Sequence, residues 1–196
     1  MIRLLHPLAY RVKPWKNGGG TTTDIAVHPE GAGWDDFLWR IGIADIRQSG
    51  PFPNFPGIDR SILLLDCPAD SGMTLTIDGA STGMIQGEFI DFAGESATEG
   101  TLRGQAVRDF NVMSRRGAVK HRRGYKAITS REWFRLGGTD MRCVHCAAGS
   151  AQLVSGAASA RDVAAGETLL VSGEDSLNLR GGPSGAQLVW AVFSTV

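Results

Sequence analysis

Three segments of the chain carry polar residues at spacings that could do chemistry. The first is Pro14-Trp15-Lys16-Asn17-Gly18-Gly19-Gly20-Thr21-Thr22-Thr23-Asp24-Ile25. Successive glycines allow close approaches that side chains forbid. Lys16, Asn17, Thr21 and Thr22 flank them with a cation, an amide and hydroxyls, a donor set suited to a carboxylate or phosphate. The same residues also read as a plain β-turn anchored by Trp15. The second segment runs from Phe37 to Arg60. Strand alternation places Arg40, Gly42 and Ala44 on one face, and Trp39, Ile41, Ile43 and Asp45 on the other. Small side chains beside an arginine leave a hollow with a cation at its edge, and a guanidinium holds a carboxylate through two parallel hydrogen bonds. The Pro- and Phe-rich loop that follows, including Phe52, is a stiff aromatic wall. Asp59-Arg60 ends it as an ion pair or as a second anion contact. In the third segment, alternation puts Asp109, Asn111 and Met113 on one face. Polar groups aimed into a core need partners or a ligand.

Other chemistries find less support. His6, His28, His121 and His145 are isolated, and none pairs at i, i+2. Cys143-Val144-His145-Cys146 gives one C-x-x-C with no second ligand pair to close a tetrahedron. Cys143 and His145 would share a strand face, with Cys146 on the other, as buried thiols. Neither a metal site nor a cofactor is expected. There is no G-x-S-x-G elbow, and the triple glycine precedes a strand-like run rather than a helix. Asp45 and Asp109 are the carboxylates placed for acid–base work, were the protein an enzyme.

The elements that must position these residues read as strands. The chain has 196 residues, 42% hydrophobic and 20% charged, with 20 basic and 20 acidic side chains. That balance argues against a whole-protein grip on nucleic acid or an acidic membrane. No apolar run approaches the roughly 18 residues of a membrane span, and three cysteines suit a cytoplasmic protein. Short apolar runs separated by Gly, Pro, Asp or Ser dominate, as at Thr23 to His28, Ser61 to Asp66 and Ala106 to Met113. Further runs are Met141 to Ala147, Ala151 to Ser155, Ser176 to Leu179 and Ala186 to Phe193; Ser159 to Ala165 could hold a helical turn. A faint repeat relates EFIDFAGESATEGTLRGQAVRDFNVM, from Glu88, to ETLLVSGEDSLNLRGGPSGAQLVWAVF, from Glu167. Between them, Ser114 to Arg131 carries seven basic residues and no acidic one. It reads as a linker or exposed excursion, or alternatively as an anion- or nucleic-acid-contacting patch.

Together PWKNGGGTTTDI, WRIGIADI followed by SGPFPNFPGIDR, and DFNVM resemble the HutD/Ves family, in order and along essentially the whole chain. The resemblance implies an all-β fold of two fused cupin-like antiparallel β-barrels (a bicupin) with few short helices and without the usual cupin metal ligands. The corresponding division is a pocket-bearing barrel at 1–113, a basic linker at 114–131 and a second barrel at 132–196. The implied role lies in bacterial histidine utilisation, or in stress and cold response, through sensing or limiting an intermediate such as urocanate or N-formylglutamate. Carried over by motif, the pocket residues are Lys16, Asn17, Thr21, Arg40, Phe52, Arg60 and Asn111. Arg40, with Lys16 or Arg60, would pair with a carboxylate. Asn17, Thr21 and Asn111 would orient the polar remainder, and Phe52 would close a side. Pro53 stands where a small polar residue is expected, and Gly42 where serine is common. An isomerase or hydrolase of a small organic acid is the alternative, and a nucleic-acid-contacting regulator a third. A homodimer through a sheet edge is compatible with either.

Overall fold

Alternating side chains and frequent glycines turn most of the described chain into strands. The computed structural model describes residues 1–15, 18–154, 160–173 and 176–196. In chain order the strands are β1 (Ile2–Leu5), β2 (Arg11–Pro14), β3 (Gly20–His28), β4 (Trp39–Ile46), β5 (Gly50–Pro51) and β6 (Ile58–Asp66). Next come β7 (Gly72–Ile77), β8 (Ala80–Gly83), β9 (Phe89–Ala93), β10 (Thr98–Arg103), β11 (Val107–Arg115) and β12 (Val119–Ile128). The last are β13 (Trp133–Leu136), β14 (Met141–Leu153), β15 (Arg161–Ala164), β16 (Thr168–Val171) and β17 (Leu177–Thr195). Among the described residues the one helical element is a 3-10 turn at Pro7–Ala9, and no helix is long and apolar enough to cross a membrane.

The chain forms two compact units, Tyr10–Lys120 with Thr195–Val196, and Met1–Ala9 with His121–Ser194. The first holds a six-stranded sheet, β2-β3-β4-β11-β6-β9, and a four-stranded sheet, β5-β10-β7-β8. Ala44, Ile46, Ile62, Leu64 and Val107 of the larger sheet bury their side chains with Met73 and Leu75 of the smaller. The second unit is built on the seven-stranded sheet, in the order β1-β16-β14-β17-β12, with β13 on β17 and β15 on β14. Its core collects Val144, Cys146, Leu153, Leu169, Val171, Leu177, Leu179 and Leu188. The ladders are antiparallel, and among the described residues no sheet closes into a barrel.

The unit boundaries differ from the division expected from sequence. The first nine residues belong to the C-terminal unit, where Ile2–Leu5 pair with β16 and Ile2 and Leu4 pack on the core. The basic stretch is largely strand, β12, rather than a linker. Two of its arginines are occupied: Arg115 donates to Phe37 O at 2.9 Å and Asp35 O at 2.5 Å, and Arg116 pairs with Asp59 at 2.8 Å and Glu95 at 2.6 Å. That contact holds the Glu95 carboxyl down to about 2.

Two other expectations changed. Residues 161–164 form a strand, not a helical turn. Val163 is buried while its neighbours are exposed, and the ladder to Ser150–Leu153 selects the extended state. The breaks expected inside 141–155 and 176–193 are bulges or bends within β14 and β17. Their glycines let the long strands bend instead of ending them.

Candidate functional site

The site lies on one face of the six-stranded sheet, and strand register explains its composition. Cross-strand neighbours share a face. On β4 and β11, Asp109 opposes Ala44, Asn111 opposes Gly42 and Met113 opposes Arg40. The two alternation patterns read from sequence therefore meet on the same side. On β6, Arg60 opposes Met113, and on β3, Thr22 and Asp24 oppose Ala44 and Gly42. Toward one end of this face the side chains are apolar and packed. Toward the other they surround a cavity of about 50 Å³.

Arg40 is buried, and its guanidinium forks onto Asp24: Nε donates to Oδ1 at 2.9 Å and Nη2 donates to Oδ2. Lys13 Nζ reaches the same Oδ2 at 3.1 Å. The Arg40 Cζ lies 3.6 Å from the centroid of the Trp34 ring, which packs on Phe55 at 5.1 Å. The two-toothed grip expected for a ligand is thus already closed on Asp24.

Arg60 is equally buried. Nη1 donates to Pro53 O at 3.2 Å, and the guanidinium sits among the Phe52, Phe55 and Phe92 rings at 5.5, 5.3 and 4.9 Å. Burial pulls this guanidinium down to about 10 against the opposing pull of Asp109, so it stays charged at neutral pH. Asp59, next in sequence, points to the other face and pairs with Arg116. That removes the Asp59–Arg60 ion pair as a reading.

Asp109 is fully buried. Burial pushes its carboxyl up to about 7, against the opposing pull of the Arg60 charge. Among the described residues, Arg40 Nη1, Arg60 Nε, both Asp109 oxygens and Asn111 Oδ1 have no hydrogen-bond partner. Leaving such groups bare costs about 1–3 kcal/mol each. All four side chains line this one cavity.

The rim is aromatic and held by backbone bonds. Phe52 N donates to Thr98 O at 2.8 Å and Phe55 N to Gly94 O at 2.8 Å, with prolines 51, 53 and 56 stiffening the span. Trp15 donates through Nε1 to Thr22 Oγ1 at 2.8 Å. The departure at Gly42 has a steric cause, which Gly20 shares. A Cβ on Gly20 would lie 2.2 Å from Asp45 O, and one on Gly42 2.8 Å from Thr23 O. Both glycines serve the close approach of β3 and β4.

Of the residues proposed from sequence, the structure brings together Arg40, Phe52, Arg60 and Asn111. Thr21 is on the opposite face, where its hydroxyl donates to Asp45 Oδ2 at 3.3 Å. Asp45 belongs to that face too, with Arg108 at 3.8 Å. Lys16 and Asn17 lie outside the described residues. Sequence reasoning passed over Asp24 and Trp34 as pocket residues. Asp24 could have been found by extending the β3 alternation from Thr22; Trp34 sits in a loop with no periodicity. The buried Cys143 and Cys146 thiols are pushed up by burial, Cys146 to about 11. Among the described residues no three metal-ligating side chains cluster.

The model of the HutD family matches residues 8–189. The chain belongs to the HutD family. Over 113 residues it is 42% identical to an uncharacterized 21.2 kDa protein in the hutC 3′ region of Pseudomonas putida, and over 113 residues 35% identical to protein Ves of Citrobacter koseri. These alignments span 57% and 56% of the relatives' own lengths, a little over half. A conserved protein of unknown function from Pseudomonas aeruginosa PAO1 superposes with a TM-score of 0.88 at 28% identity, covering 99% of each chain. HutD from Pseudomonas fluorescens SBW25 gives 0.81 at 25% identity, covering 100% of each. A cupin 2 conserved barrel domain protein from Leptotrichia buccalis gives 0.58 at 8% identity, covering 93% and 91%, a likeness of fold alone. The HutD-family fold is thus all-β and cupin-like.

Proposed function

We propose that this HutD-family chain is a cytoplasmic, non-metal binding protein for a small carboxylate that limits or senses histidine utilisation, with urocanate or N-formylglutamate as ligand. In this reading each compact unit stands for one cupin-like barrel, and the first carries the pocket. The observation that carries it is the convergence of unsatisfied donors and acceptors in one cavity. Arg60 Nε and Arg40 Nη1 offer N–H groups to a carboxylate, and Asn111 Oδ1 accepts an N–H from the remainder. Urocanate has an imidazole N–H beside its carboxylate, and N-formylglutamate an amide N–H. The inner cavity admits a carboxylate-sized group, so the rest of the ligand lies between the Trp34, Phe52 and Phe55 rings. The link to histidine utilisation rests on the names of the relatives in the hutC 3′ region and of HutD.

Isothermal titration calorimetry with both compounds is the test. One of them should release heat, and Arg60→Gln should weaken it at least about tenfold by removing a charge-assisted donor. Silence with both compounds would overturn the reading. A second reading, acid–base catalysis on the same acids, is favoured by the fully buried Asp109 carboxyl lining the cavity, which burial pushes up to about 7. Turnover of either compound, lost in Asp109→Asn, would establish it instead.

A further inference from the structure

Arg60 and Asp109 line the same cavity without meeting. Among the described residues no ion pair or hydrogen bond joins them, and Arg60 Nε and both Asp109 oxygens stay bare. The space between a buried cation and a buried carboxyl is where an anion held by Arg60 has to sit. Two carboxylates side by side, out of water, repel unless a proton lies between them. We propose that the pocket binds its carboxylate ligand together with a proton, carried by Asp109 and donated from its carboxyl oxygen to the ligand carboxylate. The proton comes from solvent, and no bond of the ligand is made or broken. This rests on the carboxylate-binding reading above and assigns Asp109 as the residue that selects the ligand's protonation state.

The surroundings of Asp109 leave this role to it alone among the described residues. From β6 it faces Arg60, which remains charged below about 10. From β4 and β3, Arg40 and Asp24 neutralise each other, and Lys13 of β2 adds its charge on Asp24. Asp45, on the opposite face of β4, disfavours a second negative charge and is engaged by Arg108 and Thr21. The Phe52–Phe55 loop brings no charged side chain, and no charged residue of the four-stranded sheet lines the cavity. Burial already holds Asp109 near 7 without an anion, so little change in pH is needed to load it.

Formate, the smallest carboxylate, is the probe. The Asp109 carboxyl is followed by carbon NMR on Asp-labelled protein, assigned by difference from Asp109→Asn, with and without formate. Saturating formate should move its titration upward by about one pH unit or more, and formate affinity should fall about tenfold per pH unit above 7. In Asp109→Asn the affinity should be flat from pH 6 to 8.5. An unmoved Asp109 titration, a flat affinity in the native chain, or a pH dependence that survives in Asp109→Asn each overturns the proposal. If the variant fails to fold, the formate affinity of the native chain still decides, since a flat profile from about pH 6 to 8.5 overturns the proposal. Heat from urocanate or N-formylglutamate, with Asp109 silent, would sink proton coupling alone; absence of binding by any carboxylate would sink the reading beneath it.

Discussion

Asp24 and Arg40 are both buried and are bonded to one another through two contacts. Removing one partner leaves an uncompensated buried charge, which typically costs about 3–5 kcal/mol, whereas replacing both by apolar groups costs far less. Asp24→Asn should therefore lower stability in urea melts by about that amount, and Asp24→Leu with Arg40→Met should recover much of it. Asp109 works in the opposite sense. Its carboxyl titrates at about 7 in the folded chain against an ordinary 3.8, so the native state keeps a proton that the unfolded state has released. Stability must then fall as pH rises through that interval. Replacement by Asn removes the titration, so the stability of Asp109→Asn relative to wild type should improve by on the order of 3 kcal/mol from pH 5 to pH 8. Denaturant midpoints at the two pH values measure it; a constant difference contradicts the burial argument. Together these residues show why a binding hollow can be costly to keep: its groups are oriented before any ligand arrives.

At the scale of elements, the face is set by register. A one-residue slip of β11 against β4 would send Asp109 and Asn111 to the other side of the sheet. The close passage of β3 over Gly42 is part of that register. Gly42→Ser would press a Cβ to 2.8 Å from Thr23 O, and overpacking of this kind costs about 1–3 kcal/mol. A lowered melting temperature is expected, and an unchanged one would mean that β3 can retreat. The alternation of WRIGIADI and DFNVM was readable in the sequence because period two survives in any strand. It correctly grouped Arg40, Gly42 and Ala44, and Asp109, Asn111 and Met113. Thr21 and Thr22 cannot be told apart in the sequence, because hydroxyls on neighbouring residues of TTT look alike, and the ladder alone says which faces the pocket. The Asp24 partner of Arg40 was not legible, since the two lie sixteen positions apart and meet only through pairing of β3 with β4. Residues 161–164 and the glycine-broken runs differ from their sequence expectation for a related reason: a short polar segment takes its conformation from the strand beside it.

Across the whole molecule, the division into units does not follow the order of the chain. β1 completes the sheet that holds β16, β14 and β17, pairing Ile2 with Val171 and Leu5 with Thr168. Deleting residues 1–5 should bare one edge of β16, and amide hydrogen exchange should speed up at Thr168–Val171 far more than in β4, β6 or β11. Equal acceleration in both units would show that they open together. This pairing also bears on how the protein comes into being at the ribosome. β1 is synthesised about 170 residues ahead of its partner. It must stay unpaired, with two apolar side chains waiting, while the strands that shape the pocket are made and can settle. Long-range pairings of this kind form late. The binding face, complete in sequence by Arg115, can therefore settle once that stretch has left the ribosome and before the first strand is recruited.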